Sequence, residues 1–351
     1  MIQYKVLLGT MATTFFADAL VDAAVATNGP IRLVLPITDE DIICSTLMSH
    51  LGAEHSHSRG ILGFMTTLEA NSLRLISREF RDEVSRFRWN DSKTFVIGSL
   101  EKWRTTFPKA ETINLSHRHD ICDDDLKHIK GCRNVNISWC VNITSAGFEH
   151  LSKVRNLLMN GCDQLTLTDD AFKYLKEIRT LEMSHCKQIT DAGLAHLKGI
   201  QMLDMKYCSQ SGISDRGVAY LAGIKHLNMD HCSQSTITDE VFKPLKGLVS
   251  ISIAGCMQFS DEAFKYLKGI KSLDMAYCWQ RTITDKAFFN LAGIHTLRMS
   301  RCSQPMITNE AFRYLGGIHT LNITGCTQTS ITIDMLKFIK GVKVFKNAWG
   351  W

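Results

Sequence analysis

Cysteine is the residue type whose number and spacing in this chain most strongly suggest chemistry. The chain has 12 cysteines in 351 residues. Thiolates bind zinc and exchange disulfides, but no Cys-x-x-Cys pair occurs, which excludes zinc ribbons and thioredoxin-type redox motifs. Free thiols in this number fit a reducing compartment and predict a cytoplasmic or nuclear protein. Nine of them follow one another at steps of 22 or 24 residues: Cys140, Cys162, Cys186, Cys208, Cys232, Cys256, Cys278, Cys302 and Cys326.

Histidine and aspartate clusters are the other candidates for catalytic or metal chemistry. The pairs His55/His57 and His117/His119 have no cysteine or carboxylate close by in the pattern that a metal site needs, and they are expected to be solvated loop residues. The run Asp123–Asp125 is expected to complement the dipole of a short helix. No phosphate-binding loop, dinucleotide fingerprint, nucleophile elbow or zincin motif occurs. We therefore predict no catalytic, cofactor or metal site, and the chain is not expected to be an enzyme.

The nine cysteines belong to a repeated element of 22 to 24 residues. Leu203 and Met205 alternate with polar residues and predict a short strand with both apolar side chains on one face. Cys208 follows where the chain leaves the strand. A Thr or Ser then predicts a helix N-cap, and a Gly such as Gly223 supplies the left-handed residue that ends the helix. Stacked copies would form a parallel sheet lining a concave surface, with helices outside.

The phrase Ile200-x-x-Leu203-x-Met205-x-x-Cys208 resembles the leucine-rich repeat, in the cysteine-containing subtype typical of F-box proteins. The resemblance implies an α/β fold, a leucine-rich-repeat solenoid, over residues 111–351. It predicts ten repeats and an atypical eleventh, 342–351, as a C-terminal cap in which Trp349 and Trp351 cover the last core layer. The cysteines are then small buried wedges at each turn. The competing interpretation is a metal or redox ladder, although one thiol per strand is poorly placed to build a tetrahedral site.

Residues 61–81, ILGFMTTLEANSLRLISREFR, resemble the core of an F-box. The F-box is a helical module that docks on the Skp-type adaptor of cullin ubiquitin ligases. The Leu-Pro that opens such a module stands 26 residues before Ile61, which indicates an insertion in the first helix. The alternative is that 61–89 is only a helical cap for the solenoid. The resemblance implies an adaptor-binding surface, partly exposed without the partner, made by Leu35, Pro36, Ile61, Leu62, Phe64, Leu73, Leu75, Ile76, Phe80 and Trp89.

The predicted organisation is an N-terminal extension (1–30), an F-box-like helical domain with an insertion (31–92), a linker or N-terminal cap (93–110) and the solenoid (111–351). The extension imitates a short signal peptide, and Met11 is an alternative start, but export would expose the thiols to oxidation. No run of 18 apolar residues occurs, so no transmembrane helix is expected. The net charge of +5 is mild, with 12 residues of each sign in the first 110, and predicts neither a nucleic-acid nor a membrane partner.

Strand alternation also predicts a binding face. The residue between the paired apolar positions and the residues just before each cysteine should face outward on the concave side. Acids beside tyrosines there would select basic groups on a target protein, and the longer loop after Cys278 would extend the patch. The alternative is an ordinary solvated face. The predicted target-binding residues are Glu182, Asp204, Lys206, Tyr207, Asp230, His231, Asp274, Tyr277, Trp279 and Arg281.

By resemblance, the protein is expected to be the substrate-recruiting subunit of a Skp–cullin–F-box ubiquitin ligase. It would need no cofactor, and it would act by raising the effective concentration of its target at the ligase. The alternative is a stand-alone leucine-rich-repeat scaffold that binds a protein and has no link to ubiquitin.

Overall fold

The computed structural model describes residues 66–74 and 78–347, and the chain divides into two compact parts, 1–114 and 115–351. The N-terminal extension and most of the predicted adaptor surface lie outside the described residues. The predicted site and cap residues outside them are Leu35, Pro36, Ile61, Leu62, Phe64, Leu75, Ile76, Trp349 and Trp351.

In the N-terminal part, the described residues form three helices and one strand. Helix α3 begins where Ser99 Oγ accepts a hydrogen bond from the Lys102 backbone N–H (3.3 Å), and it buries Leu100 and Trp103. This helix lies within 93–110, which the sequence predicted only as a linker or cap. The elements are α1 (Thr67–Leu73), α2 (Arg78–Arg86), α3 (Leu100–Thr106) and β1 (Thr112–Asn114).

Trp89 is a core residue of this part. Its side chain is 1% exposed, and its indole Nε1 donates a hydrogen bond to the Val84 carbonyl (2.9 Å). Phe87 and Phe107 pack edge-on against the ring, at centroid distances of 4.7 and 5.6 Å. The expectation that Trp89 contacts an adaptor therefore needs correction, because a buried, hydrogen-bonded indole is not available to a partner in this conformation.

The C-terminal part confirms the predicted leucine-rich-repeat solenoid. Ten parallel strands form a continuous sheet in chain order, with Leu203 paired to Leu181 on one side and Leu227 on the other. The strands are β2 (Asn134–Asn136), β3 (Asn156–Leu158), β4 (Thr180–Glu182), β5 (Met202–Asp204), β6 (His226–Asn228), β7 (Ser250–Ser252), β8 (Ser272–Asp274), β9 (Thr296–Arg298), β10 (Thr320–Asn322) and β11 (Val344–Lys346).

Short helices connect these strands, and each buries one apolar face. Four contain α-helical turns: α4 (Asp191–Leu194), α5 (Asp215–Ala219), α6 (Asp261–Phe264) and α7 (Asp285–Phe289). The 3-10 helices span Asp123–Ile129, Ala146–Leu151, Asp169–Tyr174, Ala195–Leu197, Asp239–Phe242, Lys265–Leu267, Asn309–Leu315 and Ile333–Lys337. Thr238 is one of the predicted caps, and its side chain accepts from the Glu240 backbone N–H.

Seven of the helices begin with an aspartate that binds the next repeat. The Thr190 backbone N–H and hydroxyl donate to the two oxygens of Asp169, at 2.8 and 2.6 Å. The same pair of bonds joins Thr308 to Asp285, among others. The sequence predicted these acids only as partners of the helix dipole. In the structure they also clamp successive repeats together.

The nine register cysteines are buried, and their thiols point into the preceding repeat. Cys232 Sγ donates a hydrogen bond to the Met205 carbonyl (3.1 Å), and Cys208 does the same to Met183 (3.3 Å). Burial raises the pKa of the Cys208 thiol to about 12, so it stays protonated and remains a donor. The geometry fits the predicted structural wedge.

In most repeats a glutamine two residues after the cysteine forms a third link to the preceding repeat, which sequence reasoning missed. Gln210 Nε2 donates to the carbonyls of Cys186 (3.1 Å) and Ile189 (2.8 Å) in the preceding repeat. A sequence signal for this glutamine was present, because the pattern Cys-x-Gln recurs in every repeat from Cys162 to Gln328.

Candidate binding face of the solenoid

The polar face of the sheet forms as the strand alternation predicts. Leu203 and Met205 are fully buried between the sheet and the helices, while Asp204 turns to the opposite face. The strand register places the outward residues side by side as neighbours. In order along the sheet these are Glu182, Asp204, Asn228, Ser252, Asp274 and Arg298.

Asp204 is the most enclosed of the predicted target-binding acids, with 9% of its surface exposed. One carboxylate oxygen accepts from Ser184 Oγ (3.1 Å), and the other accepts from Asn228 Nδ2 (2.9 Å). The Lys206 ammonium lies 3.7 Å from the second oxygen. Both oxygens are thus engaged by neighbouring strands, and Asp204 organises this face more than it offers a free charge.

The other acids are also engaged, but less completely. Asp230 accepts from Ser252 Oγ (2.5 Å) and from the Ala254 backbone N–H (2.8 Å). Asp274 accepts from the Ala276 N–H (3.0 Å). Burial raises the pKa of Asp274 above its ordinary value, and the charge of Asp230 acts in the same direction. A cationic group on a partner would relieve that cost.

Beside these acids runs a row of residues in the left-handed conformation, which we call the turn ladder. It consists of the residue just before each of the nine register cysteines, together with His117, which precedes Arg118 at the same position one repeat earlier. Each has a positive φ between 55° and 74°. An L-residue in this conformation costs roughly 1–2 kcal/mol, yet seven of the ten carry a side chain. The ladder comprises His117, Trp139, Gly161, His185, Tyr207, His231, Gly255, Tyr277, Arg301 and Gly325.

The rings of the turn ladder stack on one another. The His185 and Tyr207 centroids lie 4.5 Å apart, and those of Tyr207 and His231 lie 4.7 Å apart, with nearly parallel planes. Farther along, the Arg301 guanidinium lies over the Tyr277 ring at 5.4 Å. Glycine occupies a ladder position where the side chain of the preceding ladder residue leaves no room for a Cβ. A Cβ at Gly255 would lie 2.5 Å from His231 Nδ1.

This stacking decides what a partner meets. Neighbouring rings stack on Tyr207 from both sides, which leaves its edge accessible, and Tyr207 and Tyr277 keep 40% and 39% of their surface exposed. Edges of His and Tyr offer hydrogen-bonding groups beside apolar carbon. Three predicted residues, Tyr207, His231 and Tyr277, therefore lie on one ladder.

The loop after Cys278 carries two of the predicted target-binding residues, Trp279 and Arg281. Trp279 is 57% exposed, and its Nε1 donates to the carbonyl of Arg301 in the next repeat (3.0 Å). Arg281 is exposed on the same loop. At the other end, Glu182 is half-buried and accepts from Asn160 Nδ2 (3.1 Å). Four further ladder members share the position before the register residue and were not among the predicted target-binding residues: His117, Trp139, His185 and Arg301.

The residues that the structure describes contain no group of three or more His, Cys, Asp or Glu side chains able to hold a metal ion. None of the helices within 66–74 and 78–347 is long and apolar enough to cross a membrane.

Comparison with solved structures identifies the architecture. The crystal structure of a TLR13–ssRNA13 complex matches 69% of this chain at 20% identity, with a TM-score of 0.56. The structure of the Toll–Spatzle complex from Drosophila matches 76% of it at 14% identity, with a TM-score of 0.52. The chain spans 36% and 39% of the lengths of those two chains. These likenesses support the fold, a leucine-rich-repeat solenoid.

A third structure, the Rad7 and Elc1 complex in yeast, matches over 96% of this chain and 98% of its own, at 14% identity and a TM-score of 0.49. The fold assignment rests on the first two structures alone. No protein-family model and no curated protein matches the sequence.

Proposed function

We propose that this protein is a binding adaptor whose solenoid holds a target protein on the polar sheet face and the turn ladder. The observation that carries the proposal is the stack of half-exposed rings held in a costly backbone conformation. Strained residues of this kind cluster at functional sites, and tyrosine and arginine are favoured anchors of interfaces. The partner would place basic or hydrogen-bonding groups against Asp230, Asp274 and the ring edges.

We further propose that the N-terminal part connects this solenoid to a Skp-type adaptor and its cullin ligase core. The support is the F-box-like phrase of 61–81, in which helix α1 lies and helix α2 begins. The protein would then raise the effective concentration of its target at the ligase and would itself contribute no catalytic group.

The second candidate is a scaffold without a ubiquitin link. The burial of Trp89 against Phe87 and Phe107 favours it, because those contacts suit a helical segment that serves its own core. In this candidate the sheet face still binds a target, and only the N-terminal coupling differs.

Calorimetry with the full-length chain and a purified Skp-type adaptor tests the ligase proposal. Saturable binding, followed by recovery of the cullin core in the same complex, is expected. A chain that captures targets normally but shows no heat with the adaptor would exclude the ligase function and leave the scaffold.

Paired tyrosine variants test the binding face. The double variant Tyr207→Ala/Tyr277→Ala removes two ladder rings and should weaken target capture by about tenfold or more, as for interface hot spots. The matched control, Tyr220→Ala/Tyr314→Ala, removes two tyrosines of similar exposure from the helical side. Cross-linking of full-length protein in cells, read by quantitative mass spectrometry, compares them. Equal target sets for both variants would place binding elsewhere.

A further inference from the structure

The loops that lead from each helix into the next strand carry a concentration of positive charge. Ten such four-residue loops lie between 130 and 343, and Glu177 is their one acidic residue. We call their lysines and arginines the basic rim. It consists of Lys130, Arg133, Lys153, Arg155, Lys176, Arg179, Lys198, Lys225, Lys246, Lys268, Lys271, Lys340 and Lys343.

The charge is densest over the first four loops. The backbone N–H of Arg155 donates to the Arg133 carbonyl (2.8 Å), and that of Arg179 donates to the Arg155 carbonyl (2.7 Å). The three arginines therefore occupy the same position in adjacent repeats, with backbones about 4.8 Å apart as in any sheet. Four exposed lysines accompany these exposed arginines: Lys130, Lys153, Lys176 and Lys198.

Few carboxylates neutralise these cations. Glu177 lies 2.6 Å from Lys153 Nζ and 3.8 Å from Arg155 Nε. The hydrogen bond from Lys153 and the charges of Lys153 and Arg155 hold the pKa of Glu177 below its ordinary value. Within the part of the chain that the structure describes, no other rim cation forms an ion pair with a carboxylate.

The helical side shows the opposite arrangement. Several of its lysines and arginines pair with an acid three residues earlier in the same helix: Lys173 with Asp170 (3.4 Å), Lys243 with Glu240 (3.2 Å) and Arg313 with Glu310 (2.7 Å). Like charges on adjacent strands repel one another. The cations of the rim therefore repel one another, and a bound polyanion would reduce that repulsion. The cations on the helices are already paired with acids.

The neighbouring side chains restrict which polyanion fits. The apolar residues of the first four loops, Cys132, Val154, Ile178 and Ile200, are all buried. The patch thus presents no apolar group to enter a lipid layer and no ring on which a single-stranded base could stack. It does present arginines, whose planar fork matches phosphate oxygens.

We propose that the basic rim from Lys130 to Lys198 binds the phosphate backbone of a nucleic-acid duplex without reading base sequence. This departs from the expectation drawn from net charge. A total of +5 averages over the whole chain, whereas the repeat places these cations on one edge of the sheet. The site is separate from the turn ladder, which lies where the chain leaves the strands.

Fluorescence anisotropy of the full-length protein with a labelled duplex of about 20 base pairs, between about 50 and 200 mM salt, tests the proposal. Binding should weaken steeply with salt. Arg133→Gln/Arg155→Gln/Arg179→Gln should lower affinity at least tenfold and reduce the slope of log K against log salt by roughly 3, since each phosphate contact contributes about 0.9. DNA and RNA duplexes of one sequence show which form is preferred.

The matched control is Lys173→Gln/Lys243→Gln/Arg313→Gln, which removes the same charge from paired sites and should leave affinity within about twofold. The rim variant should unfold at nearly the same temperature as the wild type, because the repulsion it loses offsets the loss of the Arg155–Glu177 ion pair, so weaker binding would not reflect unfolding. Equal losses in both triple variants, or rim-dependent binding to phosphatidylserine vesicles with none to a duplex, would overturn the proposal. The Tyr207→Ala/Tyr277→Ala variant should retain duplex binding, which separates this site from the proposed adaptor function.

Discussion

Most repeats turn through a left-handed residue twice, once where the helix ends and once before the register position, and the two turns use different residues. At the helix ends, glycine occupies eight such positions with φ between 80° and 93°. A Cβ at Gly199 or Gly269 would meet open space, so the backbone conformation and not crowding favours glycine there. In the turn ladder, the same conformation holds mostly rings.

The difference shows where the fold accepts strain. A left-handed L-residue costs roughly 1–2 kcal/mol, and a stacked aromatic pair returns about 0.5–1.5 kcal/mol. At Tyr207, stacked on both His185 and His231, these terms nearly cancel, so the ring adds little net stability. A half-exposed ring that hardly changes stability is better explained by recognition than by folding.

The largest effect is expected directly behind the turn ladder, at Cys232. Cys232→Asp would bury an unpaired charge beside the Met205 carbonyl, and it should lower the free energy of unfolding by about 3–5 kcal/mol. Cys232→Ala should cost about 1 kcal/mol and leave target capture unchanged. Urea denaturation measures both. Stoichiometric zinc in the purified protein would show instead that the thiols have a chemical role.

The two kinds of turn can be compared by making the same Gly→Ala substitution in each. Gly269→Ala places a methyl group in open space and should cost about 1 kcal/mol for the backbone alone. Gly255→Ala should cost more, about 2 kcal/mol, because the His231 ring must move from the position it occupies. Thermal unfolding of the two variants measures the gap. Equal losses would mean that His231 does not rest on Gly255.

Two substitutions at Tyr207 distinguish the cost of the left-handed backbone from the gain of ring stacking. Tyr207→Gly loses the stack but also the strain, so its stability should stay within about 1 kcal/mol of the wild type. Tyr207→Ala loses the stack and keeps the strain, and it should be about 1 kcal/mol less stable than the glycine variant. Both should capture target poorly. Identical stability of the two variants would contradict a cost for the left-handed turn.

The smallest effect concerns pH. Because the pKa of Asp274 is raised in the folded protein, its contribution to stability is fully present below the ordinary value of 3.8 and is lost as pH rises through the folded pKa. Asp274→Asn keeps an acceptor for the Ala276 N–H and should unfold at a slightly higher temperature than the wild type at pH 7. That difference should shrink as pH falls toward 4. If Asp274→Asn unfolded at a lower temperature than the wild type at pH 7, the buried Asp274 carboxylate would be stabilising, which contradicts this prediction.

The solenoid could be predicted because its signals are local and repeated. Leu203, Met205 and Cys208 define a strand and its end within six residues, and the spacing recurs along the chain. Glu182, Asp204 and Asp274 were correctly placed on the outward face for the same reason. Helix α3 was missed because a single amphipathic turn around Trp103 has no repeat to support it.

The cross-repeat contacts could not be predicted, because they depend on stacking. Asp169 binds Thr190, 21 residues later, and Asp204 binds Ser184 and Asn228 on both neighbouring strands. Such partners become adjacent only after the repeats assemble. Net charge could not indicate the basic rim for a related reason, since it carries no information about which side of the sheet Arg133 and Arg155 share.

Between the repeats of Cys208 and Cys232, the thiol, the glutamine and the cap residue all donate their hydrogen bonds in the same direction. Each donor of these links belongs to the later repeat and each acceptor to the earlier one. The donors are Cys232, Gln234 and Thr238, and the acceptors are Met205, Cys208 and Asp215. A chain leaving the ribosome presents its acceptors first, so each emerging repeat finds a finished template and assembly can follow translation. We expect chains shortened from the C-terminus by whole repeats to keep their hydrogen-exchange protection, and loss of protection throughout such chains would contradict this order.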